Sequence, residues 1–103
     1  MVKTLDAAGY RAALQEKDKT VVIVFGADWC PHCKRLEPLI EETANENIGK
    51  IDAFYIDVDK NPELAEQNGI MAIPAVIIAK GGKIVKNAAN PRTKQILLDL
   101  IFK

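Results

Sequence analysis

Between Val21 and Thr43 the hydrophobic period changes at a pair of cysteines. Val21-Val22-Ile23-Val24-Phe25 is β-branched and aromatic over five positions, which is the composition of a buried strand. After Cys33 the pattern takes helical spacing, with Leu36, Leu39, Ile40 and Thr43 on one face. Cys30-Pro31-His32-Cys33, preceded by Trp29, stands at the junction. A strand-to-helix switch there puts the first sulfur near the helix N-terminus, where unpaired N–H groups and the dipole favour an anion. The second sulfur, three residues on, lies within bonding reach of the first, and position makes Cys30, at the helix end, the accessible sulfur and Cys33, one turn in, the shielded one. The pair reads as a reversible dithiol.

Three plainer readings compete with it. A structural disulfide closing so short a loop removes little denatured-state entropy, so stapling is a poor reason to keep one. A zinc site usually needs four ligands; the only histidine is His32, between the only two cysteines, so no metal is expected. Two incidental buried thiols would not be flanked by Trp, Pro and His.

At 103 residues the chain is read as a single domain, residues 1–103, with one core. Fourteen Lys and Arg balance fourteen Asp and Glu, so no net field argues for nucleic acid or a membrane surface. No stretch approaches the ~20 apolar residues of a membrane span. Met1-Val2-Lys3-Thr4-Leu5-Asp6 lacks the apolar stretch of a secretory signal, so a cytoplasmic address is expected if the chain is a full precursor. In a reducing cytosol a dithiol is more often catalytic than structural.

The pattern predicts a short strand over 2–5 and a helix from about Ala7 to Lys17, capped by Asp6, with Tyr10, Ala13 and Leu14 inward. A strand over 20–25 leads into a helix from about Cys30 to Asn47, in which Pro38 should produce a kink. From Ile51 to Val58 a third strand alternates Ala53, Tyr55 and Asp57 against Phe54, Ile56 and Val58. Asn61-Pro62 reads as a cap and first position of a short helix that stops at Gly69. Strands at Ala75–Ala79 and around Lys83-Ile84-Val85 are joined by the Gly81-Gly82 turn. Asn90-Pro91 should start a last helix with Ile96, Leu97, Leu100 and Ile101 as its apolar stripe. The order β-α-β-α-β-α-β-β-α implies an α/β fold, a mixed central sheet with helices on both faces.

That order and several motifs resemble the thioredoxin family over essentially the whole chain. The matching residues are Phe25, Ala27-Asp28-Trp29-Cys30-x-x-Cys33-Lys34 and Pro38, then Asp57-Val58-Asp59-Lys60-Asn61-Pro62. Gly69-Ile70-Met71-Ala72-Ile73-Pro74 and Lys80-Gly81-Gly82-Lys83 follow in family order. The resemblance implies the thioredoxin fold and a protein-disulfide reductase that uses no cofactor beyond its own Cys30–Cys33 couple. It further implies disulfide-containing client proteins and a thioredoxin reductase-type electron donor as partners. Sulfur chemistry and family agree on roles: Cys30 attacks the client disulfide and Cys33 resolves the mixed disulfide. The resemblance also makes Pro74 a cis proline facing the dithiol and gives the backbone of Ile73 the task of pairing with the client. Trp29, Pro31, Met71, Ile73, Pro74 and Ala89 would form the apolar rim that receives it.

Four departures from the family pattern bear on the chemistry. Pro31-His32 replaces the usual Gly-Pro and looks like the pair of periplasmic disulfide oxidases; His32 can add a donor or positive charge beside Cys30. Val24 stands where a buried aspartate is common, so proton transfer from the second cysteine must use water, His32 or another group. Tyr55 stands where a lysine often partners that aspartate, and losing both leaves no uncompensated buried charge. Gly26 replaces a common aromatic and should open space beside the active-site loop. A net oxidase or isomerase and a non-enzymatic interaction module are the alternative functions.

Overall fold

Side chains of the central strand alternate between two cores, and that alternation assembles the fold. The structure, a computed structural model, describes residues 2–103. The elements are β1 (Lys3–Thr4), α1 (Ala7–Ala13), β2 (Thr20–Gly26), α2 (Pro31–Glu46), β3 (Ile51–Asp57), α3 (Pro62–Gln67), β4 (Ala75–Lys80), β5 (Lys83–Ala89) and α4 (Lys94–Phe102). They form one sheet in the order β1-β3-β2-β4-β5. β1, β3 and β2 run parallel, while β4 and β5 are antiparallel additions on the other side of β2.

Val21, Ile23 and Phe25 point to one side and meet Ile56, Ile77, Tyr10 of α1 and Leu64 of α3. The intervening Val22 and Val24 meet Val76, Ile78, Leu36 and Ile40 of α2, and Leu97 and Ile101 of α4. Both sides of β2 are thus sealed, as an unbroken apolar run requires. The Tyr10 and Phe25 rings meet edge-on at 6.4 Å. Each such side chain contributes roughly 1.5–3 kcal/mol by leaving water. The mixed sheet with helices on both faces is the expected class.

Several boundaries differ from the sequence pattern. α1 ends at Ala13, not Lys17, because Gln15 and Glu16 donate three residues back, to Ala12 and Ala13, and so tighten the turn. β1 shrinks to Lys3–Thr4, whereas β5 lengthens to Ala89 by pairing with β4 along its whole length. Pro38 lies within α2, which continues to Glu46. Pro62 opens α3, but Asn61 makes no side-chain cap; its amide donates to the Asp57 carbonyl.

The larger correction is at α4. Asn90-Pro91 does not start it. Asn90 takes a left-handed φ of 44°, tolerated by Asn more than most residues, and its N–H donates to the Pro74 carbonyl at 2.7 Å. The Arg35 guanidinium donates to Asn90 Oδ1 and to the Arg92 carbonyl, which holds these residues as a turn. Thr93 caps the helix instead, its hydroxyl accepting from the Ile96 N–H. The later start leaves Leu97 and Ile101 buried and turns Ile96 outward.

Candidate active site

β2 delivers the chain to the site. Past Gly26, Ala27 is buried, Asp28 and Trp29 are exposed, and Cys30 becomes the N-cap of α2 with Pro31 at the first helical position. A proline costs little there, since its missing N–H would have had no helical partner. The Cys33 N–H donates to Cys30 Sγ at 3.2 Å, so the first sulfur occupies the place of a capping oxygen. Both thiols are free. Exposure does not separate them: Cys30 is 3% and Cys33 4% exposed, against the expectation that position alone would bare Cys30.

Electrostatics separates them instead. Burial, and then the neighbouring Cys30, pushes the Cys33 thiol up to about 12. At neutral pH the fold therefore holds Cys33 as the thiol.

Ile73 packs against the pair, and its carbonyl oxygen stands 4.0 Å from Cys30 Sγ. The Ile73–Pro74 peptide is cis, with Pro74 buried. Val58, Ile70, Met71 and Ile73 line an apolar groove of about 220 Å³ beside it, and Met71 is 97% exposed. Trp29 is 67% exposed, its indole Nε1 donating to Asp59 Oδ2 at 2.8 Å. Asp59 is aimed by the buried Asp57, whose Oδ1 accepts the Asp59 N–H at 2.8 Å. Ala89 pairs with Ala75, one residue past Pro74, and is exposed. Pro31 and His32 are exposed in the first turn of α2, and among the described residues no hydrogen bond joins His32 to Cys30.

Gly26 does not leave open space, as the sequence suggested. A Cβ there would stand 2.9 Å from Tyr55 Oη and 3.0 Å from Cys33 Sγ, so ring and sulfur have closed over it. Tyr55 is the register neighbour of Val24 on β2 and packs on the same core. Burial, and next the charges of Cys33 and three nearby carboxylates, raises the Tyr55 phenol above its ordinary range. Asp59 was not legible as a partner of Trp29, because a carboxylate thirty residues away follows no period. Tyr55 was legible only as the replacement of a family lysine and by its alternation onto the face of β3 that meets α2, not as a neighbour of Cys33.

The raised Cys33 thiol has a consequence for stability. Unfolded, the group titrates near 9.0; folded, near 12. Between those values the unfolded chain binds fewer protons, so stability falls as pH rises. The reduced protein should hold its urea midpoint up to about pH 9 and lose it above, with Tyr55 adding to the loss. Cys33→Ser should flatten that slope; an unchanged slope would show that the thiol is not held protonated by the fold.

The comparisons with known proteins agree with this geometry. The Thioredoxin family model matches residues 1–103. The thioredoxin of Alicyclobacillus acidocaldarius is 39% identical over 91% of this chain and 89% of its own length. The bifunctional thioredoxin reductase/thioredoxin of Mycobacterium leprae is 35% identical over 88% of this chain and 20% of its own length. Among solved structures, a mutant thioredoxin from Halobacterium salinarum superimposes with a TM-score of 0.86 at 28% identity, covering 97% of this chain and 86% of the other. A cysteine pair at the start of α2, a shared fold, a family model matched over residues 1–103 and a thioredoxin matched over 89% of its own length together place this chain in the thioredoxin family, as a thiol–disulfide oxidoreductase.

Proposed function

We propose that the Cys30–Cys33 dithiol works as a net reductant of disulfides in client proteins, with Cys30 as nucleophile and Cys33 as resolving thiol. The observation that carries the reading is the unequal setting of two equally covered sulfurs. Cys30 Sγ accepts a backbone N–H at the helix end, while Cys33 is held as the thiol. Cys30 thiolate attacks one sulfur of the client disulfide; the other client sulfur leaves as a thiolate and takes a proton from water. Cys33 then loses its proton and attacks Cys30 Sγ. The Cys30–client bond breaks, the second client sulfur leaves with the electron pair, and the protein is left oxidised by two electrons.

The first step prepares the second. Two of the influences that raise Cys33, its contact with Cys30 and the Cys30 charge, vanish once Cys30 is tied up in a mixed disulfide. Burial then remains as the main obstacle to ionising it.

The client would lie along the rim of Trp29, Met71, Ile73 and Ala89, with the Ile73 backbone pairing to it beside Pro74. The open groove of Met71 and Ile73 supports that placement, and so does the anchored indole of Trp29. Electrons would return from a thioredoxin reductase-type donor, a reading supported by the fusion of the two names in the Mycobacterium leprae relative. No cofactor is needed beyond the cysteine couple. A reducing cytosol is the compartment in which such a dithiol stays catalytic; no helix among the described residues is long and apolar enough to cross a membrane.

Redox titration of the couple in a glutathione buffer tests the direction. Its potential should fall between about −270 mV, as in thioredoxin, and about −120 mV, as in the strongest oxidase, nearer the former. Replacing Pro31 by Gly and His32 by Pro should lower it by tens of millivolts, on the order of 50 mV at most. A couple near the oxidase value would sink the reductant reading, and an unmoved double variant would make His32 a bystander.

A further inference from the structure

Val24 is an alkyl group beside a thiol that must ionise. The buried Asp57 of β3 accepts the Asp59 N–H and does not line the pockets that Cys33 and Tyr55 share, and Glu37 of α2 is exposed. What β3 supplies beside the thiol is Tyr55. Its hydroxyl and Cys33 Sγ converge on the one point that Gly26 leaves free of a Cβ, at 2.9 and 3.0 Å from it. Both groups also line a cavity of about 180 Å³ below the dithiol, together with Thr4, Asp28, Lys34 and Glu37. That volume has room for several waters at about 30 Å³ each. His32 is exposed and does not line it.

We propose that Tyr55 is a positioning residue for the resolving step, its hydroxyl holding in this cavity the water that takes the Cys33 proton and then bonds the new thiolate. The assignment rests on the roles given above to Cys30 and Cys33. In the step, the Cys33 S–H proton passes to the water as Cys33 Sγ attacks Cys30 Sγ. The Cys30–Cys33 bond forms, the Cys30–client bond breaks, and the client sulfur departs with the electron pair. The proton leaves through the cavity mouth past Asp28 and Glu37 to bulk solvent. Tyr55 keeps its own proton throughout.

A neutral hydroxyl suits the place physically. Beside Val24 and Ile40 a carboxylate would carry a large desolvation cost, whereas a phenol brings a donor without a charge. The raised phenol keeps that donor protonated across the neutral range. The charged groups that line the cavity with the sulfur are Asp28 from the loop after β2 and Lys34 and Glu37 from α2; Asp57, at the end of β3, acts on Tyr55. Two of the three lining charges are acidic, so the lining offers the new thiolate little net positive charge and makes a local donor more valuable.

Tyr55→Phe removes only the hydroxyl. In single-turnover measurements its release of client thiol from the mixed disulfide should slow on the order of 10-fold at pH 7, the loss of one hydrogen bond to the water that bonds the thiolate. The pH profile of that step should move to higher pH. Formation of the mixed disulfide, followed in a Cys33→Ser background, should be unchanged by the same substitution. A ring-fluorinated tyrosine at 55 keeps the shape, strengthens the donor and should move the profile of resolution to lower pH. A merely structural role would move neither profile. Resolution by Tyr55→Phe at the parent rate and with the parent profile overturns the proposal while leaving the cysteine roles intact. Failure of Cys33→Ser to trap any client on Cys30 would sink those roles and this proposal with them.

Discussion

Cys33→Ser should leave the protein covalently attached to its client. Cys30 keeps its helix-end N–H and its place under Ile73, because the donor is a backbone group that serine retains. The first attack therefore proceeds. The second cannot, since serine is no nucleophile toward a disulfide under these conditions. In the parent protein, a thiol positioned three residues away acts at an effective concentration that can reach ~10⁵ M or more, which no free thiol in solution matches. Turnover should fall by several orders of magnitude, and non-reducing electrophoresis with mass analysis should show a one-to-one adduct through Cys30. Cys30→Ser should be equally inactive and trap nothing, because burial still disfavours the thiolate of its remaining cysteine. Adducts on Cys33 at comparable rates would reverse the assignment of roles.

Phe25→Ala should be the most damaging change away from the sulfurs. Phe25 is fully buried on the α1–α3 side of β2, edge-on to Tyr10 and beside Ile23, Ile56 and Ala75. Its removal leaves a ring-sized cavity between a sheet and two short helices, costing about 3–5 kcal/mol. Against the ~5–15 kcal/mol of a typical domain that is a large share of the whole. Melting should drop by roughly 15 °C or more, read by calorimetry at fixed pH on the reduced protein. Met71→Ala, almost wholly exposed, should stay within about 0.5 kcal/mol of the parent. A loss below about 1 kcal/mol for Phe25→Ala would mean that this core is not what seals the sheet.

The local features of the chain follow from neighbours along it. A run of β-branched residues can only be a strand closed on both sides, and here Val21 to Phe25 is. Cys30 at the end of that strand had to fall at the start of a helix, whose unpaired N–H groups face the sulfur. These depend on period and capping, which act within a few residues. Asn90-Pro91 shows where such reasoning stops. The same dipeptide that opens α3 at Asn61-Pro62 becomes a turn at 90–91, because Pro74 and Arg35 claim its backbone and side chain.

By itself the sequence determined the dithiol, the strand and helix that hold it, and the family to which those motifs belong. Tertiary packing decided the rest. Only the fold brings Ile73 over Cys30 from 43 residues away and Asp59 to the Trp29 indole from 30. Only β2–β3 register sets Tyr55 beside Val24 and closes its ring with Cys33 over Gly26. The sequence alone made Cys30 the accessible sulfur; in the fold both are covered, and they differ in that Cys30 Sγ accepts a backbone N–H while Cys33 is held as the thiol. Desolvation depends on which atoms surround a group in space, and no local spacing along a chain encodes that surrounding.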